Sequence, residues 1–313
     1  HKMASYLRGR SLWCSSTCSE SLIVPNENTE KLRSKILDLS IDVLKNYGDN
    51  SIDACITDPP YSMGMDKWDH QLPSVELWEQ VYRVLKPGAF CLSFCSPQLY
   101  HRMAVAVEDA GFNIQDQIMW MVTTKMAKTN RLKPAHEPVA VAQKPYEKNL
   151  KYNQEKWGVG LINIEQARVP WDKEPPKGWV KGGVSRRTFG ADGKTTGTQA
   201  EFGKVDANPA GRYPSNIIGE VQAEHQKYFY APRASRKEKG AHNDHPTVKP
   251  LSLMEYLVKI YSHENSIVLD PFSGSGTTGL ACKNTNRSYI GIDMSEDYCQ
   301  IARDRLAFGQ LPI

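Results

Sequence analysis

Ile267-Val268-Leu269-Asp270-Pro271-Phe272-Ser273-Gly274-Ser275-Gly276-Thr277-Thr278 is an apolar run that stops at a carboxylate, enters a Gly-x-Gly turn and resumes with two hydroxyl residues. An aliphatic run of this length, bounded by turn residues, reads as a strand buried on both faces. The glycines let the backbone turn tightly and approach a ligand, and the helix opening behind them favours negative charge or acceptor atoms at its N-terminus. Further on, Tyr289-Ile290-Gly291-Ile292-Asp293 ends a second strand on an acid, with Met294 behind it. An acid at that strand tip commonly holds ribose hydroxyls. Strand, Gly-x-Gly turn, helix, strand and Asp predict a nucleoside-cofactor site. Gly274-x-Gly276-x-x-Gly279 also fits the dinucleotide fingerprint, so the glycines alone leave a dehydrogenase open.

Outward from this stretch, the second chemical motif is Ile56-Thr57-Asp58-Pro59-Pro60-Tyr61, directly after the apolar run Ile52–Thr57. The C-terminal end of a parallel strand faces the crevice in which α/β folds bind ligands. Two prolines fix φ, remove two N–H donors and disfavour helix at Asp58, which stiffens the loop. Such a loop suits aiming a carboxylate, a backbone carbonyl and an aromatic face at one small planar group.

The remaining apolar runs repeat the same rhythm. Strands are expected at Ser34–Asp38, Ala89–Phe94, Gln117–Val122, Pro138–Ala142, Ser266–Asp270 and Ser288–Ile292, besides Ile52–Thr57. Helical periodicity falls on Val75–Leu85, Leu99–Ala110, Leu251–Ser262, Thr277–Asn284 and Glu296–Ala307. Strands alternating with helices predict a parallel sheet covered on both faces.

Composition sets the outer bounds. With 313 residues, 40% hydrophobic and 24% charged, the chain reads as globular and excludes wholesale disorder, collagen and disulfide scaffolds. No apolar stretch reaches the roughly 18 residues of a membrane helix, so no membrane association is expected. His1-Lys2-Met3 looks like a tag remnant, and the following residues lack the apolar core of a secretory signal. Cysteines stand at 14, 18, 55, 91, 95, 282 and 299; Cys55, Cys91 and Cys95 sit in apolar runs where reduced, buried thiols are usual. Cys14 and Cys18 lack a partner pair at zinc spacing, and no metal is expected. These features predict a cytoplasmic protein.

Charge separates the middle of the chain from the rest. Residues 151–240 hold 16 Lys and Arg against 10 Asp and Glu, with 12 of the 22 glycines and 10 aromatic residues. Cations interleaved with flat rings suit phosphates and unstacked bases, whereas a solvated loop-rich insertion would show the same composition without a partner. Lys181, Arg186, Arg187, Arg212, Arg233, Arg236 and Lys237 are the candidate nucleic-acid contacts.

The combination of the two motifs is more specific than either. Asp58-Pro59-Pro60-Tyr61 followed by Asp270-Pro271-Phe272-Ser273-Gly274-Ser275-Gly276 resembles the amino DNA methyltransferases, in which the first motif is the catalytic loop and the second the cofactor loop. The catalytic loop comes first here, which resembles the β class, a circular permutation of the usual order. Leu132-Lys133-Pro134-Ala135-His136-Glu137-Pro138 and His245-Pro246-Thr247-Val248-Lys249-Pro250 resemble further segments of that family. The likeness covers 34–145 and 241–308; the middle matches only loosely. One departure is Ile36-Leu37-Asp38-Leu39-Ser40, where the family has a Gly-Asp pair; Asp38 stands one position early, with Ser40 the substitute.

The resemblance implies an α/β, Rossmann-like S-adenosylmethionine-dependent methyltransferase fold. Its sheet would be mostly parallel, seven-stranded and circularly permuted, with helices on both faces and an inserted target-recognition region. It divides the chain into a leader (1–33), a catalytic half (34–145), the insertion (146–240) and a cofactor half (241–313). It implies methyl transfer to N6 of a flipped adenine in double-stranded DNA, leaving S-adenosyl-L-homocysteine. Asp58, Pro59, Pro60 and Tyr61 would serve the chemistry. Asp38, Thr57, Asp58, Thr247, Lys249, Pro250, Asp270, Pro271, Phe272, Ser273, Gly274, Ser275, Gly276, Thr277, Thr278, Asp293 and Met294 would hold the cofactor. A homodimer, a cognate restriction endonuclease and a nucleoid location belong to the same expectation. N4-cytosine transfer is the nearest alternative; an RNA or protein-glutamine methyltransferase and a DNA-binding module without catalysis are further ones.

Overall fold

The computed structural model describes residues 12–14, 39–62, 71–122, 134–171, 174–175, 179–180, 188–189, 195–196, 204–219 and 248–308. The expected strand Ser34–Asp38 lies outside them; residues 39–44, just beyond, are helical.

The strands in chain order are β1 (Leu12–Cys14), β2 (Ile52–Thr57), β3 (Leu85–Phe94), β4 (Asn113–Met121) and β5 (His136–Gln143). They continue with β6 (Trp179–Val180), β7 (Thr188–Phe189), β8 (Thr195–Thr196), β9 (Lys204–Val205), β10 (Ile217–Gly219), β11 (Ile267–Asp270) and β12 (Ser288–Ile292). One sheet takes the order β1-β12-β11-β2-β3-β5-β4-β10. Six of the expected strands lie side by side in it, and β1, from the expected leader 1–33, makes the seventh; the short β10 extends the sheet by pairing parallel with β4. Strand β5 runs antiparallel to both β3 and β4, whereas the other neighbours in this sheet are parallel.

Helices cover the sheet because their apolar positions recur at helical spacing. Leu77, Trp78, Val81 and Val84 of Val75–Val84 are buried, and the chain passes straight from this helix into β3. Helix Leu251–Tyr261 buries Leu251, Leu253, Met254, Leu257, Val258 and Ile260, and packs on helix Thr277–Asn284. The central strands are buried on both faces, and a continuous core joins Leu44, Ile52, Trp78, Phe112, Leu269 and Ile292. Half-buried Asp53, near the start of β2, accepts from the Ile267 N–H (2.7 Å) and pairs with Lys86 (2.6 Å), so it fixes the starts of three neighbouring strands. Cys55, Cys91, Cys95, Cys282 and Cys299 are free and buried.

The chain forms two compact units. The larger comprises 1–166 with 215–313, and the smaller comprises 167–214. The smaller lies inside the expected insertion 146–240; helix Leu150–Trp157 and β10, at its flanks, belong to the larger unit. Within the smaller unit, Val169 and Arg212 form an antiparallel bridge, Trp171 donates to the Asn208 carbonyl (2.8 Å), and the Arg212 guanidinium lies 5.5 Å from the Trp171 ring. Its described residues also form two short antiparallel ladders, β6 with β9 and β7 with β8. No helix among the described residues is long and apolar enough to cross a membrane.

Candidate active site

Strands β2 and β11 are parallel neighbours from which the chain departs in opposite directions, to β3 on one side and to β12 on the other. This is the switch point at which an open α/β sheet forms its crevice. The loops after Thr57 and Asp270 therefore emerge side by side, and a hydrogen bond from Thr57 Oγ1 to Asp270 Oδ1 (2.7 Å) ties them at the root.

The glycine-rich loop is braced from several directions. Asp270 also accepts from Thr278 Oγ1 (2.7 Å) and the Phe272 N–H (3.1 Å). Ser40 Oγ donates to the Pro271 carbonyl (3.1 Å), and Tyr289 Oη to Ser273 Oγ (3.0 Å). Arg305, buried in the last helix, donates to the Ser275 carbonyl (2.6 Å), Ser275 Oγ (3.0 Å) and Thr277 Oγ1 (3.2 Å). Gly274 and Gly276 have φ of +50° and +76°, where a side chain is strained, and Gly276 caps helix Thr277–Asn284. A Cβ on Gly279 would meet the Tyr289 ring at 2.6 Å, so the third glycine of the fingerprint serves helix-to-strand packing.

Asp293 sits at the tip of β12 as expected. Its Oδ2 accepts from the Gly274 N–H (2.7 Å) and its Oδ1 from the Ser295 N–H (2.9 Å), so it holds the loop from the opposite side; a carboxylate oxygen has a second lone pair for a ligand hydroxyl. Exposed Met294 follows it. Burial pushes Asp293 up to about 6 against the opposing N–H donors of Ser295 and Gly274. Asp270 is likewise pushed up to about 6, first by burial, with its three hydrogen bonds opposing and nearby Asp58 adding to the rise.

The folded protein holds the Asp270 proton more tightly than the unfolded chain, whose Asp titrates near 3.8. The contribution is present in full below that value and is lost as pH rises through about 6. Wild type should therefore lose urea stability relative to Asp270→Asn between about pH 4 and about pH 7. A difference independent of pH over that range would contradict the assignment.

The stiff loop carries the second half of the site. Pro59 and Pro60 are buried, and Asp58 is 21% exposed at the side chain. Tyr61 Oη donates to Asp58 Oδ1, and Lys249 Nζ donates to Asp58 Oδ2. Lys249 Nζ also lies 3.3 Å from Tyr61 Oη, 3.8 Å from Glu137 Oε2 and 4.9 Å from the Phe94 ring centroid. Burial raises Asp58 above the ordinary carboxylate value, Lys249 and Tyr61 act against that rise, and Glu137 adds to it. Burial, then Asp58, raises Tyr61 well above a free phenol, so its hydroxyl keeps its proton and donates. Burial pushes Cys95, at the tip of β3, up to about 12, which leaves it a thiol rather than a nucleophile.

The structure thus brings Thr57, Asp58, Pro59, Pro60, Tyr61, Lys249, Pro250, Asp270 to Thr278, Asp293 and Met294 to one edge of the sheet. Lys249, expected on the cofactor side, has its ammonium on Asp58 of the proline-stiffened loop. Arg212 lies in the smaller unit. Asp38, Lys181, Arg186, Arg187, Arg233, Arg236, Lys237 and Thr247 lie outside the described residues. Glu137 and Arg305 are among the contributors that were not expected. Glu137 reaches the site because antiparallel β5 brings its first residues to the edge where β3 ends, with the Cys95 N–H on the Pro138 carbonyl (3.0 Å). Arg305 is a basic residue on an amphipathic helix, a pattern that usually marks a solvated face. No group of three or more His, Cys, Asp or Glu able to hold a metal occurs among the described residues.

The N6/N4 family of DNA methylases matches residues 52–304, a span that includes both loops. The Type II methyltransferase M.HpaI of Haemophilus parainfluenzae is 30% identical over 277 residues, covering 85% of this chain and 72% of its own. M.HindIII of Haemophilus influenzae, also a Type II methyltransferase, is 27% identical over 315 residues, covering 85% and 93%. Among solved structures, the cytosine-N4-specific PvuII DNA methyltransferase superposes with a TM-score of 0.55 at 16% identity, covering 88% of this chain and 85% of its own; that likeness is one of fold. The chain belongs to the N6/N4 DNA methylase family: it is a β-class, S-adenosylmethionine-dependent DNA methyltransferase.

Proposed function

We propose that this enzyme methylates the exocyclic N6 of adenine at a specific sequence in double-stranded DNA, after the base has left the helix. The observation that carries the reading is the carboxylate of Asp58, at the first position of a proline-stiffened loop, with Tyr61 hydrogen-bonded to it. An exocyclic amine is a poor nucleophile because its lone pair is conjugated with the ring. Asp58 accepting one N–H and the Pro59 carbonyl the other would draw that nitrogen toward tetrahedral geometry, and Asp58 would take the proton the amine sheds. The Tyr61 ring offers a face for the flipped base, whose extrusion costs a few kcal/mol; base–aromatic stacking returns roughly 1–3 kcal/mol.

S-adenosylmethionine, when bound, supplies an electrophilic methyl group. The residues at the neighbouring loop suit such a ligand: Gly274 and Gly276 keep the backbone free of side chains, helix Thr277–Asn284 opens on it, and Asp293 offers acceptors for ribose hydroxyls. Thr57, Asp270 and Thr278 position this loop rather than face outward.

Residues 146–240 would serve as the target-recognition region, with the basic side chains named above on phosphates and aromatic rings of the segment on bases. Replacing Arg186 and Arg187 by alanine should weaken DNA binding and reduce the salt slope by up to about 1.8, at roughly 0.9 for each phosphate no longer neutralised. An unchanged slope would return this segment to a solvated loop. The Type II names of M.HpaI and M.HindIII favour a partner restriction endonuclease, and the β-class order favours a homodimer; sedimentation on and off DNA tests the latter. For the substrate class, purified protein is incubated with methyl-labelled S-adenosylmethionine and methylation-free duplex DNA or total RNA. Label in duplex DNA supports the reading, and label in RNA alone overturns it.

A further inference from the structure

Lys249 has no task in the chemistry described so far, yet it occupies the centre of the site. Its side chain is 7% exposed, enclosed by the Asp58 and Glu137 carboxylates and the rings of Phe94 and Tyr61. Both oxygens of Asp58 are engaged, Oδ1 by Tyr61 and Oδ2 by Lys249. Each oxygen keeps a second lone pair, but Asp58 is largely enclosed and Lys249 Nζ and Tyr61 Oη stand 3.3 Å apart across it, so an amine that enters takes the direction one of them now fills; an ammonium N–H is the closest chemical match to the amine N–H it would yield to.

We propose that Lys249 is a positioning residue that keeps the amine's place on Asp58 and hands it over, its ammonium passing to Glu137 as the base enters. The proposal rests on the reading of Asp58 as the amine's acceptor. Glu137 Oε2 already lies 3.8 Å from Lys249 Nζ, so about 1 Å of movement brings the pair to charge-assisted hydrogen-bond distance. The flexible lysine stem allows this, whereas an arginine fork does not. The cation stays beside a carboxylate throughout, so the cost of a buried unpaired charge is avoided. Before hand-over, Lys249 also opposes the burial that favours a protonated Asp58, which would present an O–H donor to the amine instead of a charged acceptor.

Two variants separate these roles with opposite signs. The titratable groups around Asp58 are Lys249, Tyr61, Glu137, Cys95 and Asp270. A carbon-13 carboxylate titration of Asp58 needs no turnover. Lys249→Met removes the opposing cation, so the Asp58 midpoint should rise; Glu137→Gln removes a like charge, so it should fall. At a pH where Asp58 is ionised in both, Glu137→Gln leaves Lys249 without its destination. Its kcat should drop at least about tenfold, with partial rescue in Glu137→Asp.

Affinity for S-adenosylmethionine should stay within about twofold in both variants, measured by calorimetry on protein of native circular dichroism. An unmoved midpoint in Lys249→Met, a wild-type kcat in Glu137→Gln, or a tenfold or larger loss of cofactor affinity in Lys249→Met would overturn the proposal; the last would place Lys249 on the cofactor. No transfer to DNA by wild type would overturn the methylation reading and the hand-over with it, and the titration still shows separately whether the Lys249–Asp58 pair exists.

Discussion

Asp58→Ala is expected to lower methyl transfer by roughly 10²–10⁴-fold, the range for losing a positioned proton acceptor, while the cofactor still binds. The separation follows from the architecture. Asp58 lies on the loop after β2, whereas the Gly274–Gly276 turn is held by Asp270, Asp293, Ser40 and Arg305, which reach it from other elements. Removing the Asp58 carboxylate takes away the acceptor of the Tyr61 hydroxyl proton and leaves Lys249 beside Glu137. Asp58→Asn should behave similarly: the amide keeps the shape but loses the charge that draws on the amine. Single-turnover rates together with calorimetric cofactor affinity check both variants. Near-wild-type transfer by Asp58→Ala would remove Asp58 from the chemistry.

Tyr61→Ala should lose the next largest share. The stack it offers a flipped base corresponds to about 1–3 kcal/mol, or roughly 5- to 150-fold in the occupancy of the extruded base, and its hydroxyl also orients Asp58. Tyr61→Phe and Tyr61→Trp keep the ring and lose only the hydrogen bond, so they should retain much more activity. Fluorescence of 2-aminopurine at the target position reports extrusion independently of chemistry. If Phe and Ala were equally impaired, the hydroxyl rather than the ring face would be the operative group.

The parts of the fold with an apolar signature could be read from sequence almost to the residue. Ile52–Thr57, Ser288–Ile292 and helix Thr277–Asn284 match because each is an apolar or small-residue run closed by a turn or a change of polarity. Helix Leu150–Trp157 escaped because it has almost no apolar stripe; buried Asn153 bonds to the Pro87 and Val159 carbonyls (2.9 and 2.8 Å), and Asn149 caps its start. Strand β10 is three residues long and exists through its pairing with β4. The first half of β4 was also missed, since Asn113–Asp116 carries mostly polar residues along an exposed stretch.

The site divides along the same line. Residues at the ends of β2, β11 and β12 were legible because the C-terminal edge of a parallel sheet is where ligands bind. The meeting of Lys249 with Asp58, 191 positions apart, depends on which strands become neighbours. The place of Glu137 depends on β5 running against its neighbours, and the run Pro138–Ala142 carries no mark of direction.

The most direct test of adenine N6 methylation is mass spectrometry of nucleosides from the hydrolysed DNA of a methylation-deficient host expressing this chain, beside the same host expressing Asp58→Ala. N6-methyladenine in the first sample and its absence from the second is the predicted result. N4-methylcytosine in its place would leave the fold and the loop chemistry standing and contradict the choice of base.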